Sequence, residues 1–292
     1  MHPRQYKRSV FFTSSKYFFG RTDDLISYHL VIILSPALKT FVSLKTIFMA
    51  QHNSTLKDKK VLILGGTSGL GLATAKAAAT EGAIITIVSG NQQRIDQALQ
   101  QLPANATGHA IDLSLEKNIQ QLFRQSGNFD HLVYTAAENL KLSNIAETNI
   151  DQARQFFNLR YWGAFAAVKY GSPCINPGGS ICLTGGIAGA RPGKGWAVAS
   201  SICGTMEGFT RAMAVELAPL RVNCVVPGVV KTNLWNSMTE MDREQLYTTV
   251  GDSLLVKRVG EADDIAQTFC YLMKQAFCTG QCLVVDGGAV LV

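Results

Sequence analysis

Gly65, Gly66, Thr67, Ser68, Gly69, Leu70 and Gly71 directly follow an apolar run, Val61 to Leu64, and precede an alanine-rich stretch, Leu72 to Glu81. A strand that ends in such a turn and feeds a helix aims backbone N–H groups and the positive helix end at an anion. The missing β-carbons let a pyrophosphate come close. Gly65 is expected to make the turn, Gly69 to admit the phosphates and Gly71 to let the helix lie against the strand, with Thr67, Ser68 and Leu70 completing the cradle. Placed between a strand and a helix, the motif predicts a dinucleotide site.

The elements that must position this cradle follow from the spacing of β-branched runs. Strands are expected at 61–64, 84–88, 108–111, 132–135, 180–184, 222–226 and 283–285, with helical segments between them. That alternation predicts an α/β fold: a Rossmann-type, doubly wound, parallel seven-stranded sheet covered by helices on both faces.

The glycine spacing resembles that of the short-chain dehydrogenase/reductase family, and further markers extend the resemblance over residues 58–292. These are Asp112 and Leu113 after the third strand, Ala136 within a degenerate Tyr134-Thr135-Ala136-Ala137 strand end, Arg221-Val222-Asn223, Pro227-Gly228-Val229-Val230-Lys231-Thr232, and Val285-Asp286-Gly287-Gly288. The resemblance implies that Asp112 accepts from the adenine amino group, although a simple helix cap is its alternative. It further implies that the residues after Pro227 and Gly228, including Val230, meet the nicotinamide amide, and that Thr232 reaches the pyrophosphate.

The second strand ends in Ser89, Gly90 and Asn91 without the acid that would bind a ribose 2′-hydroxyl and repel a 2′-phosphate. Ser89, Asn91 and Arg94 are donors for such a phosphate, so NADP(H) is favoured over NAD(H).

The resemblance aligns the family's catalytic Asn, Ser, Tyr and Lys with Arg160, Gly186, Ala199 and Cys203, so the chain resembles an atypical member that lacks all four. No tyrosine in the sequence has a lysine four residues later. Arg160 is the candidate catalytic residue, stabilising a developing alkoxide electrostatically; the alternative is that it fills the space of the missing Lys. Thr184 and Ser200 are hydroxyls expected nearby. Cys203 is expected to be packing rather than a nucleophile.

The segment 233–256 has the length of the family's substrate lid, and Leu234, Trp235, Met238, Met241 and Tyr247 suggest an apolar wall facing Trp196. Two functions remain open. One is NAD(P)-dependent hydride transfer to or from a small carbonyl or alcohol substrate. The other is a catalytically silent NADP(H)-binding homologue acting as a sensor or partner protein.

The chain has 292 residues, 47% hydrophobic and 16% charged, enough for one large domain. Its net charge of +6 concentrates at the start, because residues 1–48 hold seven Lys/Arg against two Asp, which argues against nucleic acid as a partner. Residues 25–34 form an apolar run too short to span a membrane. Residues 1–48 read as an extension upstream of a natural start at Met49, and residues 49–292 as a single domain.

Seven cysteines without metal-site spacing predict no metal and a reducing, cytoplasmic setting. Family resemblance implies a homodimer or homotetramer through the fourth and fifth helices. Phe156, Phe157, Trp162, Phe165, Val168, Met206, Phe209 and Met213 are the apolar candidates for that surface.

Overall fold

The computed structural model describes residues 55–139 and 142–292. The extension expected at 1–48, and Met49, lie outside the described residues.

The apolar runs become strands β1 (Lys60–Leu64), β2 (Ile84–Ser89), β3 (Thr107–Ala110), β4 (Phe129–Tyr134), β5 (Ile175–Thr184), β6 (Arg221–Pro227), β7 (Val230–Lys231), β8 (Gly260–Glu261) and β9 (Cys282–Val285). Seven of them build the expected parallel sheet, in the order β3-β2-β1-β4-β5-β6-β9, while β7 and β8 pair by themselves. Helices α1 (Gly69–Thr80), α2 (Gln92–Leu99), α3 (Glu116–Gln125), α4 (Ile150–Phe157), α5 (Gly163–Gly171), α6 (Ala197–Glu216), α7 (Glu240–Ser253) and α8 (Ala262–Lys274) connect them. None of the described helices is long and apolar enough to cross a membrane.

Period-two alternation divides the core between the two faces of the sheet. In β1, Leu62 and Leu64 join residues of α3, α5 and α6, whereas Val61 and Ile63 join residues of α1, α2 and α8. Strands β4, β5 and β6 split in the same way: Leu132, Ile181 and Val222 go to the first face, and Val133, Cys182 and Val225 to the second. Each fully buried Leu or Ile contributes roughly 1.5–3 kcal/mol.

The strand order reverses between β1 and β4, which leaves a crevice beyond their carboxyl ends. Gly65 closes its floor with φ of 96°, and a Cβ there would come within 2.5 Å of the Ala136 nitrogen.

Two strands start earlier than their sequence suggests. β4 begins at Phe129, and β5 takes in Asn176, Pro177, Gly178 and Gly179, residues that look like a turn. The register between them shifts from Phe129 opposite Ile175 to His131 opposite Ser180, so those residues form a bulge.

Between α4 and α5 a π turn, Asn158–Trp162, carries Arg160. The Tyr134 hydroxyl donates to the Leu159 carbonyl there. Only glycine fits at 163, because a Cβ would lie 2.3 Å from the Tyr134 oxygen. A local widening of this kind is characteristic of helices that present a side chain to a site.

The apolar surface expected on the helices around this turn is partly internal. Val168 and Met206 are each 1% exposed and Phe209 is buried, because all three complete the core under the sheet. Trp162 and Phe165 remain exposed, 5.9 Å apart, with Phe165 stacked on Phe209.

Candidate functional site

A groove of about 390 Å³ opens at the switch point between β1 and β4. Of the residues expected to hold a dinucleotide, Gly65, Thr67, Ser68, Gly69, Leu70, Ser89, Arg94, Asp112, Leu113, Ala136, Pro227 and Thr232 border it. The Thr67 hydroxyl donates to Ser89 Oγ at 3.2 Å, tying the turn to the end of β2. Across the groove, the Thr232 side chain stands 3.3 Å from where a Gly69 Cβ would be.

Four of the expected residues do not border the groove. Gly71 lies beneath the turn, where a Cβ would be 2.2 Å from the Gly65 carbonyl oxygen, the close helix packing expected of it. Asn91 does not border the groove; its Oδ1 accepts from the Arg94 N–H and caps α2. Val230 is buried in β7, and its carbonyl accepts from Trp235 Nε1 at 3.0 Å. Gly228 borders the neighbouring cavity instead.

Asp112 borders the groove, and its Oδ1 accepts from the N–H and the hydroxyl of Ser114, at 2.9 and 2.7 Å. The cap is thus for the turn before α3.

A second cavity of about 410 Å³ adjoins the groove and shares Thr135, Ala136, Arg160, Thr184, Pro227 and Leu234 with it. Arg160, Gly186, Ala199 and Cys203, distant in sequence, all border this cavity, as do Trp196 and Trp235. The lid is only partly a wall: Leu234 and Trp235 face the cavity, Met241 is 79% exposed, and Tyr247 packs with Trp235 and Val259. The Thr184 hydroxyl donates to the Tyr134 carbonyl at 2.7 Å, and Ser200 Oγ is buried without a hydrogen bond.

Burial pushes the Cys203 thiol above its ordinary pKa. Its sulfur sits 3.1 Å from the place of a Gly186 Cβ, which makes it a packed thiol. Among the described residues no group of His, Cys, Asp and Glu is placed to hold a metal.

A family model described as an SDR-like Rossmann domain matches residues 52–292. The chain belongs to the short-chain dehydrogenase/reductase family. It is 32% identical to the short-chain dehydrogenase/reductase ATR9 of Stachybotrys chlorohalonatus over 252 residues, covering 81% of this chain and 99% of that one. A solved small-chain dehydrogenase in complex with NADPH superposes with a TM-score of 0.69 at 31% identity, covering 81% of this chain and all of that one. The MalC reductase/Diels-Alderase of Malbranchea aurantiaca superposes with a TM-score of 0.77 at 29% identity, over 83% of this chain and all of that one.

Within this short-chain dehydrogenase/reductase fold, the residue that motif reading misses is Glu138, two positions after Ala136. Its Oε2 lies 3.2 Å from Arg160 Nε, an ion-pair distance at which the two atoms are not aligned for a hydrogen bond. The Arg160 guanidinium instead donates from another nitrogen to the Glu138 backbone carbonyl. The Phe156 ring lies beneath the guanidinium, 4.5 Å from ring centre to Cζ. Burial pushes the Glu138 carboxyl up, against the pull of the Arg160 charge, and lowers the Arg160 pKa.

Replacing Glu138 with Ala strands the guanidinium without its counter-charge. Breaking a fully buried pair costs about 3–5 kcal/mol. The Glu138 side chain keeps 35% exposure, so about 2 kcal/mol is expected here. Thermal unfolding should show Tm lower by about 4–8 °C. Adding Arg160→Met to the same chain should restore much of the loss; a double variant no better than the single one refutes the pairing.

Proposed function

We propose that this chain is an NADP(H)-dependent oxidoreductase of the short-chain dehydrogenase/reductase family acting on a carbonyl or alcohol. The observation that carries this reading is the wall shared by the two cavities, which sets the glycine-rich groove against an apolar chamber. The groove suits the cofactor, since β-carbons at Gly65 and Gly71 would close the turn against backbone. When bound, the nicotinamide would supply or accept a hydride.

Each residue then has a part. The N–H groups from Thr67 to Leu70 face the pyrophosphate, Asp112 and Leu113 flank the adenine, and Ser89 and Arg94 receive the 2′-phosphate. Arg160, steadied by Glu138 and Phe156, donates to the substrate oxygen, and the apolar walls exclude water. The NADPH held by the solved relative supports the choice of nucleotide.

The test is a titration of the full chain with NADPH and NADH. NADPH is expected to bind more tightly, and Arg94→Ala to weaken NADPH roughly tenfold, a loss of one charge-assisted contact, with NADH unaffected. Equal losses for both nucleotides overturn the assignment of Arg94.

A second reading rests on Gly186, Ala199 and Cys203, which border the cavity without a proton donor matched to neutral pH. In that reading the protein binds NADP(H) as a silent sensor or partner protein. Carbonyl-dependent NADPH oxidation that falls at least tenfold in Arg160→Gln selects the enzyme. Oxidation that Arg160→Gln does not change removes Arg160 as its catalyst.

The exposed Trp162 and Phe165 on the π turn and α5 support a homodimer or homotetramer. Analytical ultracentrifugation at micromolar concentration should find twice or four times the chain mass. Seven free thiols support a reducing, cytoplasmic compartment.

A further inference from the structure

The chamber beside the groove is bordered by Gly186, Ala199 and Cys203, none with a side chain larger than a thiol, and also by Ile202, Phe156, Trp196 and Trp235. Its volume is about 410 Å³, part of which, beside Thr184, Pro227 and Gly228, is where a nicotinamide would lie. Beside that ring a single-ring ketone would still leave apolar wall against water, which is the unfavourable arrangement.

We infer that the substrate is a neutral, rigid compound of two or three fused rings with one acceptor oxygen, and that Ala199 sets this size. This inference rests on the reading of the chamber as a substrate site. The walls are held in place before any ligand arrives. Trp235 is fixed by its bond to the Val230 carbonyl, and the Trp196 ring lies 3.0 Å from the place of a Gly193 Cβ. Flat rings pack well against fixed aromatic side chains, and a rigid ligand loses little freedom on entry.

Charge argues for a neutral ligand. Arg160 is compensated by Glu138, and Arg191, which also borders the chamber, is exposed to solvent. Ala199 lies in the first turn of α6, one turn before Cys203, so a larger side chain at 199 enters the chamber directly.

The experiment is a calorimetric titration of the full chain with cyclohexanone and with 9-fluorenone. Fluorenone is expected to bind roughly tenfold or more tightly, because its additional rings bury additional apolar area. Ala199→Phe should bring the two Kd values together by weakening fluorenone. Should that variant fold poorly, Trp196→Ala, which removes a stacking wall, is expected to weaken fluorenone by a similar factor. Equal Kd values in the native chain, or a folded Ala199→Phe chain with unchanged fluorenone affinity, overturn the inference. The NADPH titration is read separately: if it fails while fluorenone binds and Ala199→Phe abolishes the preference, the oxidoreductase reading falls and the size rule stands.

Discussion

Replacing Gly69 with Asp is expected to weaken NADPH binding about a hundredfold, close to 2.7 kcal/mol, without unfolding the chain. Gly69 is the first residue of α1 and has φ of 50°, a left-handed conformation that Asp and Asn adopt more readily than other side chains. The new Cβ would meet only the Thr232 side chain, at 3.3 and 3.4 Å, which can yield by a few tenths of an ångström. A carboxylate there stands where the pyrophosphate is proposed to sit, so like charges oppose each other in a partly enclosed groove. The same carboxylate suits the positive end of α1, so Tm should not fall.

Gly69→Asn separates charge from bulk. It has nearly the same shape, and its affinity is expected to stay within about fivefold of the native value, a difference of roughly 1 kcal/mol. Raising the salt concentration should narrow the gap between the Asp and Asn variants, because screening reduces the repulsion. Equal losses in both variants mean that space, not charge, governs this position, and the phosphates then lie elsewhere.

The parts of this fold that were readable in sequence are those set by local repetition. β-branched runs marked all seven strands of the sheet, and the glycines marked the turn whose backbone crowding at Gly65 and Gly71 excludes a side chain. Less legible are the residues with two uses. Asn91 follows a strand, as a 2′-phosphate ligand should, and its side-chain oxygen also caps α2, a use that leaves the amide nitrogen as the donor for a phosphate. Asn176 to Gly179 carry turn chemistry, but pairing with β4 draws them into a bulged strand.

Glu138 shows what spacing cannot reveal. It is 22 residues from Arg160 and belongs to no motif, so only the meeting of the β4 end with the π turn makes the pair. Of the chamber, the lining by Trp196, Leu234 and Trp235 was legible, whereas the small side chains at 186, 199 and 203 become a volume only when the elements assemble.

Acid is expected to destabilise the chain by about 3 kcal/mol between pH 6.5 and 4 through one residue, His131. It is 4% exposed in the middle of β4, and its Nδ1 is 2.9 Å from Ser180 Oγ on β5. Burial holds its pKa down to about 4; the charges of Arg221 and Lys59 push the same way and that of Asp130 opposes them. The folded chain therefore keeps the imidazole neutral where the unfolded chain, with a pKa of about 6.5, has already taken a proton. This contribution is complete above pH 6.5 and is lost at about 1.4 kcal/mol per pH unit down to about 4. His131→Asn keeps a polar group beside Ser180 and cannot titrate. At neutral pH it should be the less stable chain, since it leaves space in the core. Between pH 6.5 and 4, however, its Tm should fall by about 6–12 °C less than that of the native chain. Carboxylates such as Asp264, held low by Arg258, titrate in both chains and cancel in the comparison. Parallel pH profiles would show that the imidazole is protonated in place, and that β4 and β5 make room for its charge.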